Sequence, residues 1–179
     1  MCCSGRALQT REVSAMLTQE FREAMGRFAG AVNAITSFEG DKPVGLIATA
    51  VCSLSAEPPS VIVCINKSAS AHDAILNHGY FGVNLLSPLQ AHVVDRFTKS
   101  KGADRFSESD WDLEDFAVPI LKDAPAGMVC KIGNCFDGFS HTIFVGIIES
   151  INLSDPERNH CLLWKGRGLH QAVELNIAS

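Results

Sequence analysis

The β-type runs of this sequence follow one another too closely for helices to connect most of them. Residues 44–53 and 61–65 are apolar, and the segment between them contains Pro58 and Pro59. Because proline cannot continue either strand, we expect two buried strands that run antiparallel to each other. Similar runs bring the total to six or seven strands, at residues 32–36, 81–86, 128–134, 141–152 and 161–164. The pattern favours an antiparallel barrel, mainly β with peripheral helices, over a parallel βαβ sheet, and the run at 141–152 is long enough to bend near Gly146.

The first predicted helix follows a segment without regular apolar spacing. Residues 1–16 are expected to form a poorly ordered tail, and residues 17–179 to form one domain. Thr18 is a suitable N-cap for the helix that follows, predicted at about 19–28. The apolar residues on one face of this helix are Phe21, Ala24, Met25 and Phe28.

Two further helices are predicted between strands. Ser70 is expected to cap a short helix at 71–77. Ser87 followed by Pro88 is typical of a second helix start, since the hydroxyl caps the helix and proline fits its first position. The second helix is predicted to bury Leu89, Val93 and Phe97.

Charge and residue spacing argue against several classes of function. With 15 basic and 20 acidic residues the formal charge is −5, so we expect no nucleic-acid partner and no binding to an anionic membrane. No uncharged run has the length of a membrane span and no signal peptide is recognised, so a cytoplasmic location is expected. The seven cysteines contain no C-x-x-C pair and the six histidines no H-E-x-x-H motif, so no metal site is expected.

The most informative stretch is residues 45–70. The strand at 44–53 ends among small and hydroxyl-bearing side chains, which would let a flat ring approach the backbone closely. The next strand leads into residues 66–70, which bring a cation, an amide and two hydroxyls to a predicted helix start, where an anion is favoured. This arrangement indicates a phosphate site. The alternative is that Ser70 only caps the helix and that Lys67 is only a solvated surface charge.

Several separate segments, taken in order, resemble one known family. They are FREAMGRFAGAVNAIT at 21–36, TAVCSLS at 49–55, PPSVIVCINKSAS at 58–70, FGVNLL at 81–86 and HTIFVG at 141–146, with Asp104-Arg105-Phe106 ahead of Trp111. Over residues 21–170 the chain resembles the FMN-binding split-barrel flavin reductases, the small reductase components of two-component flavin monooxygenases. The resemblance implies a homodimeric, Greek-key split barrel of six or seven antiparallel strands with the flavin near the subunit interface.

The resemblance also implies a cofactor site. The ring of FMN or FAD would lie along residues 49–55 and its phosphate near residues 66–70, while NADH or NADPH would donate the hydride. The residues expected to bind the flavin are Thr49, Ala50, Val51, Cys52, Ser53, Leu54, Ser55, Cys64, Asn66, Lys67, Ser68, Ser70, Arg96 and Phe97. Backbone N–H groups of residues 50–54 are candidates for stabilising the negative charge that hydride transfer builds on the flavin. For Arg96 and Phe97 the sequence also allows a helix-end arginine and a core phenylalanine.

His141 is the candidate catalytic residue. The family carries a Gly-Asp-His motif that places a histidine at the nicotinamide side of the flavin, whereas this chain has Ser140 at the position of the aspartate. The expected nicotinamide pocket consists of Arg105, Phe106, Phe139, Ser140 and His141, the first two in a polar loop with helical turns predicted at 99–125. The alternatives are a structural role for His141 and a role in pinning the loop for Arg105 and Phe106.

The resulting hypothesis is a flavin reductase that uses NADH or NADPH and supplies reduced flavin to a partner oxygenase. One alternative within the family is a flavin-dependent reductase of a corrinoid cobalt centre. A second alternative is a split-barrel protein that binds flavin or haem without turnover, and a third is a barrel without a ligand. Nucleotide oxidation that depends on added flavin would separate the first hypothesis from the two non-catalytic ones.

Overall fold

The computed structural model describes residues 4–155 and 160–174, which form three α-helices and twelve strands. The helices are α1 (Ser4–Gly26), α2 (His72–His78) and α3 (Ala91–Lys99). The first six strands are β1 (Gly30–Ala31), β2 (Asn33–Glu39), β3 (Lys42–Ala48), β4 (Val51–Ala56), β5 (Pro59–Asn66) and β6 (Tyr80–Leu85). The other six are β7 (Trp111–Asp112), β8 (Ile120–Leu121), β9 (Ala126–Gly138), β10 (His141–Leu153), β11 (Leu162–Lys165) and β12 (Gly168–Gln171).

Seven of these strands form one antiparallel sheet, in the order β3-β2-β6-β9-β10-β5-β4. Its edge strands β3 and β4 do not pair with each other within the described residues, so the barrel is split rather than closed. A second sheet contains β1, β11 and β12, and a third contains β7 and β8. The prediction of a mainly β, antiparallel split barrel with peripheral helices is therefore confirmed.

Two apolar clusters hold these layers together. One lies between β2, β5, β6 and β10 and includes Ile35, Val63, Ile65, Phe81 and Phe144. The other packs α3 against the barrel and includes Leu86, Val93, Phe97, Trp111 and Leu121. Since full burial of one such side chain contributes about 1.5–3 kcal/mol, each cluster is a large part of the stability of the fold.

The long hairpin of β9 and β10 contains a bulge at the predicted bend. The register shifts between Val145 and Gly146 and again between Ile148 and Ser150. A Cβ atom at Gly146 would collide with the buried ring of Phe81, so this close approach of ring and strand requires glycine. The bend expected near Gly146 therefore has a packing cause.

The run predicted as a single strand at 44–53 is in fact two strands. β3 ends at Ala48 and β4 begins at Val51, and the two strands lie at opposite edges of the sheet. Thr49 and Ala50 connect the β3 edge of the sheet to the β4 edge. Because the chain crosses between the edges at these two residues, they belong to neither strand. This crossing places the small residues of the segment in the opening of the split barrel.

The helix starts differ from the predictions in three places, the first being Thr18, which was predicted as an N-cap but lies inside α1. The N-cap of α2 is Ala71, without a side-chain cap, so the prediction that Ser70 caps this helix is wrong. Ser87 does cap the next element, with Gln90 completing a capping box, but that element is a 3₁₀ turn at Pro88–Gln90 that precedes α3. Because the turn rotates Leu89 outward, this side chain is 82% exposed instead of buried.

Helix α1 is longer than predicted and carries an uncovered apolar face. It runs from Ser4 to Gly26, through the boundary expected at residue 16, and stops short of Phe28. The proposed division into tail and domain stays a prediction. Five large apolar residues at or beside this helix are 49–67% exposed: Met16, Leu17, Phe21, Met25 and Phe28.

Residues 99–125 contain more regular structure than the predicted loop. The 3₁₀ turn at Gly102–Arg105 agrees with the helical turns predicted in this loop, whereas the short pair β7 and β8 was not predicted because the polar composition of the segment concealed it. Strand β12, next to two glycines, was also not predicted. None of the helices in the described ranges has both the length and the apolar composition needed to cross a membrane.

Candidate functional site

A cleft of about 290 Å³ opens beside Thr49, where the chain passes from β3 to β4. Its walls come from β3, from α3 and from the hairpin of β11 and β12, and most of its lining is apolar. The residues that define it are Ile47, Thr49, Val94, Thr98, Trp164 and Leu169. Because small-molecule pockets usually hold about 300–1,000 Å³, this cleft suits a flat ring rather than a whole dinucleotide.

The predicted ring-binding residues continue from this cleft along β4. Val51 is half-buried, and Cys52 through Ala56 are exposed. β4 pairs with β5 on one side, and no other described strand pairs with its outer side. Outward N–H groups of such an edge strand can donate to oxygen or nitrogen atoms of a ligand. The structure thus brings residues 49–55 together with the cleft, while their contact with flavin stays a prediction.

Residues 66–70 form a tight polar turn at the end of β5. The Oδ1 atom of Asn66 accepts hydrogen bonds from the backbone N–H of Ser68 at 2.9 Å and from its hydroxyl at 2.8 Å. The backbone N–H of Ala69 donates to the Asn66 carbonyl at 2.9 Å. Ser68 and Ser70 are both exposed, so their hydroxyls lie at the surface beside the start of α2.

Lys67 points from this turn to the neighbouring hairpin. Its ammonium group pairs with the carboxylate of Asp137 and donates to the carbonyl oxygen of Phe139 at 2.8 Å. Its backbone N–H donates to the carbonyl of Ser140 at 3.0 Å. The lysine predicted to hold a phosphate is therefore already engaged with the protein.

His141 is the first residue of β10, immediately after the turn of this hairpin. It pairs with Asn66 on β5 and with Gly138 on β9. Its Nδ1 atom lies 2.9 Å from the hydroxyl of Ser140, which fixes the direction of the imidazole. Phe139, at the tip of the turn, has a φ of +63° and is 94% exposed.

Strand β5 connects the cleft to His141. The backbone N–H of Cys64 donates to the carbonyl of Ala50 at 3.0 Å, and Asn66, the partner of His141, follows two residues later. Two residues of an extended strand span about 7 Å, and Ala50 and His141 lie on opposite sides of β5, two strand spacings of about 4.8 Å apart. Roughly 12 Å therefore separates them, which is within the length of a single bound cofactor. The structure therefore brings together three predicted groups: residues 49–55, residues 66–70 and the turn with His141.

Arg96, Phe97, Arg105 and Phe106 lie in a different arrangement. Arg96 pairs with Asp110 at 3.0 Å, and Phe97 is only 5% exposed among Phe106 and Trp111. Arg105 donates to the carbonyl of Gly45 at 2.7 Å and lies over the ring of Phe97. These contacts join α3 and the following loop to β3. A ligand role for the four residues stays a prediction, and it would require these contacts to be replaced.

Cys64 and Cys130, two thiols of the main sheet, have raised pKa values. Burial raises the pKa of Cys64, and the neighbouring thiol of Cys52 raises it further. Burial also raises the pKa of Cys130 to about 12, so this side chain is a small core residue. Cys64, whose backbone N–H donates to Ala50, thus carries a half-buried thiol whose raised pKa disfavours the thiolate.

Among the residues that line the cleft, only Thr49 was predicted as a site residue, and Val32, Ile47 and Ala48 beside it were missed. The sequence also did not reveal four more distant lining residues: Val94, Thr98, Trp164 and Leu169. They come from α3 and from the hairpin of β11 and β12, and each is an ordinary helix or strand residue in its local context. The available signal was the spacing on α3, where Val94 and Thr98 share a face four residues apart. Across residues 4–155 and 160–174, no group of three or more His, Cys, Asp or Glu side chains is arranged to hold a metal ion.

Comparison with known proteins gives one consistent result. The family described as "Flavin reductase like domain" matches residues 25–172. The FMN reductase (NADH) RutF of Stutzerimonas stutzeri is 33% identical over 156 residues, which cover 87% of this chain and 88% of the relative. The reductase subunit HsaB of a flavin-dependent monooxygenase from Mycobacterium tuberculosis is 34% identical over 154 residues, or 86% and 81% of the two chains.

Solved structures agree with the sequence comparison. Nitrilotriacetate monooxygenase component B from Mycobacterium thermoresistibile superposes with a TM-score of 0.83 at 28% identity, covering 93% of each chain. The NADH:FAD oxidoreductase SgcE6 of Streptomyces globisporus, in complex with NAD and FAD fragments, has a TM-score of 0.78 at 27% identity. That superposition covers 87% of this chain and 93% of the other.

Proposed function

Because this chain belongs to the flavin reductase like family, we propose that it is an oxidoreductase that transfers a hydride from NADH or NADPH to FMN or FAD. Reduced flavin would then leave to serve a partner oxygenase, as the names of the relatives indicate for those proteins. The observation that carries this proposal is the apolar cleft at Thr49, next to the edge strand β4, which is separated from His141 on β10 only by strand β5. The free thiols of the described residues also support a cytoplasmic location.

The residues present fit a flavin. The cleft at Thr49 accepts an apolar ring, and the small side chains after it let the ring approach the backbone. We place the phosphate near residues 66–70, where the exposed hydroxyl of Ser70 is an available donor, whereas the hydroxyl of Ser68 already donates to Asn66 at 2.8 Å. Bound flavin supplies a two-electron acceptor that the side chains of this protein do not provide.

The side chains and backbone of the protein would position the flavin and the nicotinamide and would stabilise the charge that develops on the flavin. The outward N–H groups of β4 would donate to the flavin edge on which negative charge develops. The apolar walls of the cleft would exclude water from one side of the ring. His141, held by Ser140 at 2.9 Å, would orient the nicotinamide for transfer.

A steady-state assay tests the proposed function directly. The purified protein is mixed with NADH or NADPH and with FMN or FAD in the four combinations, and nucleotide oxidation is followed at 340 nm. We expect oxidation that saturates with added flavin. A protein that binds flavin but oxidises neither nucleotide would contradict reductase activity and support a flavin-binding module. Faster anaerobic reduction of a cob(II)alamin-type acceptor than of free flavin would indicate the corrinoid alternative.

Replacing His141 by alanine tests its role toward the nicotinamide. We expect the KM for the nucleotide to rise about tenfold, because the loss of one positioned contact removes roughly 1.4 kcal/mol of binding. The dissociation constant of the flavin, measured by fluorescence titration, should stay the same. His160→Ala is the matched control, since His160 is an exposed histidine outside the site. Equal weakening of flavin and nucleotide binding would instead support a structural role for His141.

We also propose that the protein acts as a homodimer, with the uncovered face of α1 in the interface. Contiguous exposed apolar side chains of this kind usually mark a contact with another protein surface. Phe21, which is 62% exposed, should then be buried by the second copy. We expect Phe21→Asp to weaken dimerisation at least tenfold in sedimentation equilibrium, roughly the effect of removing an apolar interface anchor. Gln19→Asp, an exposed polar position on the same helix, should leave the association unchanged, and a monomeric wild type would contradict the proposal.

A further inference from the structure

We propose that Lys67 is a positioning residue for His141 and not a ligand of the flavin phosphate. Its ammonium group fastens the turn between β9 and β10, and this turn sets the direction of the imidazole. The inference rests on the proposed function in one respect, namely that His141 contacts the nicotinamide. The fastening of the turn is itself independent of the reaction.

The contacts of Lys67 reach both sides of the turn. The ammonium group pairs with Asp137, the penultimate residue of β9, and also donates to the carbonyl of Phe139 at 2.8 Å. The backbone N–H of the same lysine donates to the carbonyl of Ser140 at 3.0 Å. Lys67, which follows β5, thus contacts Asp137, Phe139 and Ser140 around the turn, and His141 is the next residue.

The pairing of His141 with Gly138 closes the turn, but the tip of the turn at Phe139 gains little from packing. Phe139 adopts a left-handed backbone conformation, with φ at +63°, which an aromatic residue rarely takes. Its phenyl ring is 94% exposed and so gains almost nothing from packing. An ammonium group has three donors that can be shared between a carboxylate and a carbonyl, which suits it to hold such a conformation from outside.

The hydrogen bond of His141 depends on this geometry. The hydroxyl of Ser140 lies 2.9 Å from the Nδ1 atom of His141, while the carbonyl of Ser140 accepts a hydrogen bond from the backbone N–H of Lys67. Movement of the turn would therefore displace the serine hydroxyl and release the imidazole. Lys67 acts on His141 through Ser140, without touching the imidazole.

The charge of Lys67 is also compensated. Its ammonium group already faces the carboxylate of Asp137, which would repel a phosphate brought to the same place. In a site built for phosphate, the lysine would face the ligand without an acidic partner. Removal of Asp137 therefore distinguishes the two roles of Lys67. If Lys67 holds the turn, the turn becomes looser, whereas if Lys67 binds phosphate, its ammonium group becomes free to bind the flavin more tightly.

The test compares Lys67→Met, Asp137→Asn and the double variant in the full-length protein. Lys99→Met is the matched control, since Lys99 forms an exposed ion pair with Asp95 on α3 away from the turn. Hydrogen–deuterium exchange of the peptide covering residues 137–142 reports on the turn, and the KM for nucleotide and the flavin dissociation constant report on the site. Lys67→Arg, which keeps the charge, provides a conservative variant.

We expect exchange in residues 137–142 to be faster in Lys67→Met and Asp137→Asn, and the KM for nucleotide to rise about fivefold in each with kcat and flavin binding little changed. In the double variant, the exchange rate and the KM for nucleotide should not exceed those of the more affected single variant, because the two substitutions remove the same ion pair. Lys67→Arg should recover part of the loss.

Two results would overturn the inference. Unchanged exchange in both single variants would show that Lys67 does not hold the turn. Flavin binding that weakens in Lys67→Met but strengthens in Asp137→Asn would show that the lysine is a phosphate ligand. The exchange measurement decides the question even for a wild type that oxidises no nucleotide, a result that would refute the proposed function separately.

Discussion

Replacing Thr98 by tryptophan is expected to weaken flavin binding about 100-fold, which corresponds to roughly 2.7 kcal/mol. Thr98 is exposed on α3 and faces the cleft, opposite Thr49 and the hairpin that carries Trp164. Only about 290 Å³ is available there, so an indole from this position would occupy the space proposed for the ring. The flavin dissociation constant is measured by quenching of flavin fluorescence, and nucleotide oxidation at fixed flavin should fall in proportion.

Asp95→Trp on the same helix separates filling of the cleft from a general effect of tryptophan. Asp95 is exposed and pairs with Lys99, and it does not line the cleft. This variant should bind flavin as the wild type does, and both variants should keep the circular dichroism of the parent because neither position belongs to the core. Wild-type flavin affinity in Thr98→Trp would mean that the ring lies elsewhere, and the proposed site would then have to be abandoned.

The strands of the main sheet were predictable because they carry their own signal in a few consecutive residues, whereas the short strands β1, β7, β8 and β12 were not predicted. In the run at 61–65, every second residue of β5 is buried, and the prolines before this run mark the hairpin wherever the strand lies in the sheet. Failures occurred where a neighbouring element decides the outcome. Leu89 is exposed because a 3₁₀ turn at Pro88–Gln90 rotates it outward, and the break at Thr49 follows from β3 and β4 lying at opposite edges of the sheet.

The residues of the candidate site also fall into those with a local sequence signal and those placed by distant elements of the fold. Residues 49–55 and 66–70 could be found because their small and polar composition is local. The partner of Lys67 could not, since Asp137 lies 70 positions later and becomes its neighbour only through the register of β5 and β10. Trp164 reaches the cleft through the pairing of β11 with β1, which no spacing within either strand encodes.

Gly146→Ala is expected to destabilise the protein by about 3 kcal/mol, the upper part of the usual range for overpacking a core. The added methyl group would meet the ring of Phe81, and the Cβ of Cys130 would be only 2.9 Å away. Both of these residues are fully buried, so neither can move into solvent. In a protein of this size each kcal/mol lowers the melting temperature by about 2–4 °C, and the expected decrease is about 6–12 °C.

Gly26→Ala is the matched control, because a Cβ at this last residue of α1 meets nothing within 4 Å and alanine favours helix over glycine. Its urea midpoint should be equal to or above that of the wild type. A second variant tests the cause, since Phe81→Leu removes the ring atoms that the new methyl group would strike. Phe81→Leu with Gly146→Ala should therefore be less destabilised than the sum of the two single changes. Additive losses would show that the cost of Gly146→Ala comes from the bulged backbone of β10 and not from the contact with the ring.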